Sequence, residues 1–393
     1  MDWGNIAQST LSAFFGVDAM VYAIAAIELN VQFGYTGLLN FGQAGFMACG
    51  AYGLGMTAHF FHINFWFGIG IGIGFAVVLG LIMGVPTLRL RSDYLAIVTI
   101  AVAEVIRLTV RSVRFKKYFG GSDGINEFSG PYRRLNPFVE SARYPLSPFE
   151  APPVVAALAL GAFAAIAFVI GRFGGSGIHA RRPAITERAA SIGLGLVTFL
   201  VLVGAATQVE YTGYSLFTVT TGWVLVAVLA VFVWALMRSP WGRVLKAIRE
   251  DEDAVRSLGK SVYSYKMQAL ILGGVIATFA GMMFSVERGS VQPDNYSRDV
   301  TFYVLTALVL GGAAKVSGSI IGPMLFWGLL AFINAFLNAV VANNGGKLWI
   351  LIESPSQIGP VRFMIVGLML ILLMVFRPQG LFGNRKEMAL DGR

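Results

Sequence analysis

Apolar runs of roughly 17 to 25 residues, the length a helix needs to cross the hydrocarbon layer of a bilayer, recur from one end of this chain to the other. A segment in lipid must satisfy its own backbone N–H and C=O groups, so only helices and closed barrels span it. Barrel strands are short and alternate in polarity, whereas these runs are continuously apolar. The expected fold is therefore all-α, a polytopic transmembrane helical bundle. Runs are read at 11–31, 37–62, 64–86, 94–110, 153–171, 191–206, 215–237, 267–286, 301–314, 318–341 and 361–376. They give about ten to eleven membrane segments, some of them broken or re-entrant where glycine is dense. A composition of 56% hydrophobic and 13% charged residues excludes an ordinary soluble domain. The whole chain, 1–393, reads as one transmembrane domain.

The start, "MDWGNIAQSTLSAFFGVDAM", has no basic region ahead of its apolar core and no small-residue cleavage site, so the first run is expected to stay as a spanning helix. Orientation follows Lys and Arg. Residues 238–266 carry Arg238, Arg243, Lys246, Arg249, Arg256, Lys260 and Lys266 and are read as cytoplasmic. Counting outward puts Lys315, the connection 171–188 and the tail from 376 on the same side, and the amino terminus outside. The connection 111–152 falls outside yet is basic, with Arg111, Arg114, Lys116, Lys117, Arg133, Arg134 and Arg143. A missed half-helix or a surface for an acidic partner would each explain it. The net charge of +9 belongs mostly to such membrane-flanking residues, and no nucleic-acid partner is expected.

Inside the second run, "GYTGLLNFGQAGFMACGAYG" (34–53) sets Thr36, Asn40 and Gln43 among glycines that include Gly37, Gly42 and Gly45. Two readings stand side by side. Glycines let membrane helices approach, and Asn or Gln bonds across an interface; alternatively, irregular backbone is tolerated in a membrane where it lines a polar route. Glu104 and Arg107, one turn apart, are read as a self-neutralising pair near the interface, and Glu28 beside Asn30 poses the same choice between structure and function. His59 and His62 have no Cys, Asp or Glu beside them and are read as interfacial residues, with no metal site. Cys49, the only cysteine, allows no intrachain disulfide.

The segment 238–266 mixes acidic and basic residues, as a docking surface would. In "AIREDEDAVRSLG" the apolar residues Ala247, Ile248, Ala254, Val255 and Leu258 suit one face of a short helix that Gly259 closes in a left-handed conformation. "AVRSLGKS" ends like a phosphate-binding loop, but Ala254 stands at the first glycine position and no buried strand precedes it. ATP hydrolysis by this chain is not expected, and no nucleophile, base and orienter set points to another enzyme activity.

Several separated stretches carry a resemblance: "GYTGLLNFGQAGFMACGAY", "PTLRLRSDYLAIVTIAVAEVIRL", "GGSDGI", "SPWGRVLKAIREDEDAVRSLG", "FAGMMFSVERGSVQPD", "LTALVLGGAAKVSGSIIGPML" and "FRPQGLFG". In this order they resemble the inner-membrane permease subunits of ATP-binding cassette importers for branched-chain amino acids. The resemblance implies a second homologous permease, two ATPase subunits that hold ATP and Mg, an extracytoplasmic substrate-binding protein, and residence in the bacterial cytoplasmic membrane. No cofactor is implied on this chain. It also makes Arg249, Glu250, Asp251, Glu252, Asp253, Ala254 and Gly259 the ATPase-coupling residues, since such permeases carry an E-A-A-x-x-x-G signature. Here Asp253 replaces Glu and Val255 the second Ala. Thr36, Asn40 and Gln43 become candidate pathway residues, with Gly37, Gly42 and Gly45 around them. Against the family's pattern, an extra helical hairpin is read around 153–206. Urea or amides are alternative cargoes for a related permease, and an ion-coupled secondary transporter is the alternative of another class. A channel has no filter motif to recommend it.

Overall fold

The computed structural model of the chain describes residues 3–61, 64–88, 92–138, 143–145, 210–343, 357–376 and 380–382. The runs at 153–171 and 191–206, and with them the hairpin read there, lie outside the described residues, as does His62. Helix dominates: α1 (Trp3–Phe15), α2 (Val17–Leu29), a π-helix (Asn30–Tyr35), α3 (Gln43–His59), α4 (Phe65–Thr87), α5 (Ser92–Arg111) and the short α6 (Lys116–Phe119) and α7 (Gly130–Arg133). After them come α8 (Gly213–Arg238), α9 (Pro240–Glu250), α10 (Glu252–Ser257), α11 (Val262–Arg288), α12 (Arg298–Gly311), α13 (Val316–Asn343) and α14 (Ile358–Phe376). Among the described residues six helical stretches are long and apolar enough to cross a membrane: Trp3–Tyr35, Phe65–Thr87, Tyr214–Arg238, Val262–Arg288, Val316–Asn343 and Ile358–Phe376. The chain is an all-α, multi-pass membrane protein.

The described elements group into two packed units. The first holds α1, most of α8, the part of α13 from Met324, and most of α14. Trp223 on α8 donates its indole N–H to the Phe15 carbonyl at 2.9 Å, which satisfies one of the orphan acceptors at the end of α1. Gly328 on α13 leaves room for the Phe14 ring. Two short antiparallel strands, β2 (Arg143–Pro145) and β3 (Glu210–Thr212), pair Tyr144 with Tyr211, so the chain on either side of 146–209 returns to one place.

The second unit is built around α3, which is buried along most of its length. A helix covered on every side needs small residues where its neighbours cross it. Gly53 meets Gly72 of α4 backbone to backbone, Gly50 faces the Thr278 backbone of α11, and Gly281 of α11 sits against the Met47 carbonyl. α3 has 17 residues, fewer than the run read as 37–62, because that run is not helical before Gln43. The pair β1 (Ile125–Asn126) and β4 (Ser290–Val291) joins two connections that the charge count assigns to the outer side. The segments assigned to the cytoplasmic side also meet: Lys315 donates to the Phe382 carbonyl at 2.8 Å, and Arg249 donates to the Gly34 carbonyl at 2.6 Å.

Candidate functional site

Between α2 and α3 the backbone abandons the α-helix for thirteen residues, first as the π-helix and then as an irregular stretch from Thr36 to Gly42. Such a departure inside a membrane protein requires other partners for the freed groups, and the polar side chains supply them. Asn30 grips the turn between α12 and α13 twice, donating from Nδ2 to the Lys315 carbonyl at 3.0 Å and accepting the Ala314 N–H at 2.8 Å. Gln32 donates to the Leu270 carbonyl of α11 at 3.1 Å and accepts from Asn40 at 2.7 Å. Asn40 in turn accepts the Gly42 N–H at 2.8 Å. Thr36 donates to the Val31 carbonyl at 2.8 Å. Thr99 of α5 and Thr301 of α12 accept the Phe41 and Ala44 N–H groups at 3.0 and 3.2 Å.

Thr36, Asn40 and Gln43 are all buried, with 2%, 1% and 0% exposure. Each is bonded within the chain, to a different set of partners. Gly37 is at φ +72°, in the left-handed region, with the Arg249 side chain against it. Gly42 and Gly45 lie where α5 crosses: a Cβ on Gly42 would stand 2.8 Å from the Thr99 carbonyl, and one on Gly45 3.2 Å from Ala103.

Gln43 opens α3. Its amide donates to the Ala25 carbonyl at 2.6 Å and to Oε2 of Glu28. Both side chains are fully buried, and Oε1 of each has no hydrogen-bond partner among the described residues.

The segment 238–266 begins with two helices. Ser239 caps α9 by accepting the Gly242 N–H, with Pro240 at the first helical position, where no N–H is needed. Leu245 and Ile248 are buried beneath α9. The continuous helical face expected over 247–258 is interrupted at Asp251, whose extended backbone ends α9 and whose Oδ1 caps α10 by accepting the Asp253 and Ala254 N–H groups at 2.9 and 3.0 Å. Only Val255 of α10 is buried, and Leu258 is 79% exposed. Gly259 ends α10 at φ +75°, with its N–H on the Arg256 carbonyl and the Lys260 N–H on that of Val255. This is the left-handed close read from the sequence.

The coupling candidates divide by direction. Arg249 faces inward to Gly34, and Glu252 is ion-paired with Lys266 at the start of α11. Glu250, Asp251, Asp253, Ala254 and Gly259 face solvent. Asp253 pairs with Arg256 at 3.0 Å with its side chain 88% exposed. Lys246 stands over the Tyr35 ring, 5.5 Å from its centroid, so two cations of α9 lie on the end of the π-helix.

Sequence reasoning missed Gln32, Thr99 and Thr301, whose partners are remote in the chain; their sole signal was a polar residue in an apolar run. It also missed Asp294. The pair of Glu104 and Arg107 does neutralise itself, through Arg107 contacts at 2.6 to 3.1 Å, but Arg107 also holds Asp294 at 2.6 Å.

A family model described as the permease component of branched-chain amino acid transport systems matches residues 12–375. The chain is 29% identical, over 92% of its own length and 68% of the relative's, to the high-affinity branched-chain amino acid transport system permease protein LivM of Escherichia coli K12. It is 22% identical over 96% of its length and 93% of the relative's to the probable branched-chain amino acid transport permease protein LivM of Methanocaldococcus jannaschii. A shorter likeness, 33% identity over 29% of the chain and 31% of the relative, links it to the autoinducer 2 import system permease protein LsrC of Klebsiella pneumoniae. No solved structure matches the chain.

Proposed function

Because the chain belongs to the family of permease components of branched-chain amino acid transport systems, we propose that it is the membrane permease subunit of an ATP-binding cassette importer for these amino acids. It works beside a second homologous permease, in the bacterial cytoplasmic membrane. A soluble binding protein delivers the cargo, and two ATPase subunits hold ATP and Mg and perform the hydrolysis. The relatives that cover most of the chain are named for branched-chain amino acids, which favours that cargo over urea or amides. They are also components of larger systems, which weighs against a self-sufficient secondary transporter.

The observation that carries this reading is the contact of Arg249 with the Gly34 carbonyl. It ties a solvent-facing helical tip to the end of a broken membrane helix. Closure of two ATPases against Asp253, Ala254 and Leu258 would displace α10 and α9 as a rigid pair, and the Arg249 contact passes that displacement to residues 34–37. The break from Gly34 to Gly45 borders the route in this reading. Gly42 and Gly45 allow the close packing there, Gly37 the left-handed turn, Thr36 and Asn40 shape the backbone, and Gln43 offers a polar contact.

Co-expression with the neighbouring permease and ATPase, reconstitution with the binding protein, and measurement of leucine uptake against urea and acetamide test the proposal. ATP-dependent leucine uptake by a complex of two unlike permeases and two ATPases is expected. Full uptake by this chain alone, or uptake driven by an ion gradient without ATP, overturns it.

A further inference from the structure

Among the described residues Glu28 is the one charged side chain that is buried, at 0% exposure. No Lys, Arg or His among them forms an ion pair with it. Gln43 spends its amide hydrogens on Oε2 of Glu28 and on the Ala25 carbonyl, and the carbonyl oxygen of Gln43 and Oε1 of Glu28 remain without donors. A buried acceptor costs free energy unless a donor reaches it, and a buried acid either keeps its proton or is met by a compensating positive charge. Two free acceptor oxygens on a bonded acid and amide therefore suit a small cation with several N–H groups, which a primary ammonium provides.

We propose that Glu28 and Gln43 form the station where the ammonium group of the transported amino acid is held as it passes this chain. The inference rests on the function proposed above and adds a specificity-determining residue to it. Glu28 lies six residues before Gly34, at most about 9 Å along the axis, since 1.5 Å per residue is the rise of an α-helix and most of the interval is the more compact π-helix, so the station stands close to the Arg249 contact. Gln43 follows directly on the irregular stretch 36–42. A displacement of that stretch moves Gln43 away from Ala25 and Glu28 and leaves the ammonium with one acceptor in place of two. Holding and release then follow the ATPase cycle through the same break.

An inorganic monovalent cation would meet the same acceptors, so the test separates the two sources. The assembled complex in vesicles is assayed for ATP-driven leucine uptake in sodium and in choline buffer, as wild type, Glu28→Gln and Glu28→Asp. The expected result is uptake by the wild type that is equal in both buffers. Glu28→Gln loses at least tenfold in kcat/KM with unchanged complex yield, melting temperature and ATPase stimulation by loaded binding protein, and Glu28→Asp recovers most of the loss. Gln at 28 keeps an oxygen for the Gln43 amide, so a purely structural role leaves Glu28→Gln at the wild-type rate, and that result overturns the proposal. A strict need for sodium assigns the station to the inorganic ion and overturns it too. If Glu28→Gln does not assemble, Gln43→Met carries the test: a severalfold loss per assembled complex is expected, and wild-type uptake refutes the station. A wild-type complex that takes up no leucine removes the functional reading itself, an outcome distinct from normal uptake by the variants.

Discussion

Gly37 and Gly259 share a left-handed backbone, at φ +72° and +75°, and both are exposed, but only Gly37 has a side chain packed on it. Gly37 lies inside the break, where a Cβ would stand 3.4 Å from Cγ of Arg249; around Gly259 a Cβ would meet nothing within 4 Å. In the break the conformation is held by the bonds of Asn30 to the turn between α12 and α13, of Gln32 to α11 and of Asn40 within the break itself. At Gly259 it is held by the closing bonds of α10, and it leaves Leu258 in solvent. One turn chemistry thus serves two ends. The break stores a fixed geometry, while the tip offers an unsatisfied apolar surface to something else.

The largest expected effect is at Gly37. A β-branched residue there bears about 1–2 kcal/mol for the left-handed backbone, and its branches crowd the Arg249 side chain that a Cβ already meets at 3.4 Å. Gly37→Val should sharply reduce recovered complex and abolish uptake, as read by size-exclusion yield and leucine transport. Gly259→Val meets the backbone term alone, in an exposed turn. Its melting temperature should stay close to wild type while ATP hydrolysis ceases to drive uptake. Equal losses of stability at the two positions would break the comparison.

Next in size is Arg249→Gln. A hydrogen bond to a charged group contributes about 1.5–3 kcal/mol, and about 1.4 kcal/mol is tenfold in an equilibrium, so leucine transported per ATP hydrolysed should fall about tenfold or more. Asp253→Arg should act more weakly and only on coupling. Its pair with Arg256 is exposed, and such pairs contribute about 0–1 kcal/mol to stability. A severalfold drop in uptake at an unchanged melting temperature is expected, and charge reversal on the facing ATPase residue should restore it. A melting temperature that falls along with uptake would move Asp253 from docking to folding.

The sequence showed the membrane class plainly, because runs such as 215–237 and 267–286 need no partner to be recognised. It also showed that something stops the helix near 34–42, and that Gly259 closes another. What it could not show is who answers the freed backbone groups. Asn30 reaches Lys315, Gln32 reaches Leu270, and Arg249 reaches Gly34, all across more than 200 residues of chain. Such pairings leave no periodicity. The split of the helix over 247–258 at Asp251 was missed for a local reason: the apolar spacing runs through it, and only the capping bonds of Asp251 show that the helix restarts. Glu28 was visible as an acid in an apolar run, but its two-oxygen arrangement with Gln43 depends on how α2 and α3 meet.

The smallest expected effect separates the two readings of the break at Asn40. Its side chain makes two bonds inside the chain, donating to Gln32 and accepting from the Gly42 N–H. Side-chain hydrogen bonds between membrane helices average about 0.6 kcal/mol each, so Asn40→Leu should cost about 1 kcal/mol in all. Leu is close in size, and the backbone between Leu38 and Gly42 keeps the Phe41 N–H bond to Thr99. The melting temperature should therefore fall slightly, while uptake per assembled complex stays within about twofold of wild type, the range that about 0.4 kcal/mol would span. Uptake that drops severalfold at an unchanged melting temperature would instead put Asn40 on the route beside Gln43. In that case the break is a lining, with its polar groups turned toward cargo during transport, and the contrast between a turn bonded into the chain and the open one at Gly259 no longer holds at this residue.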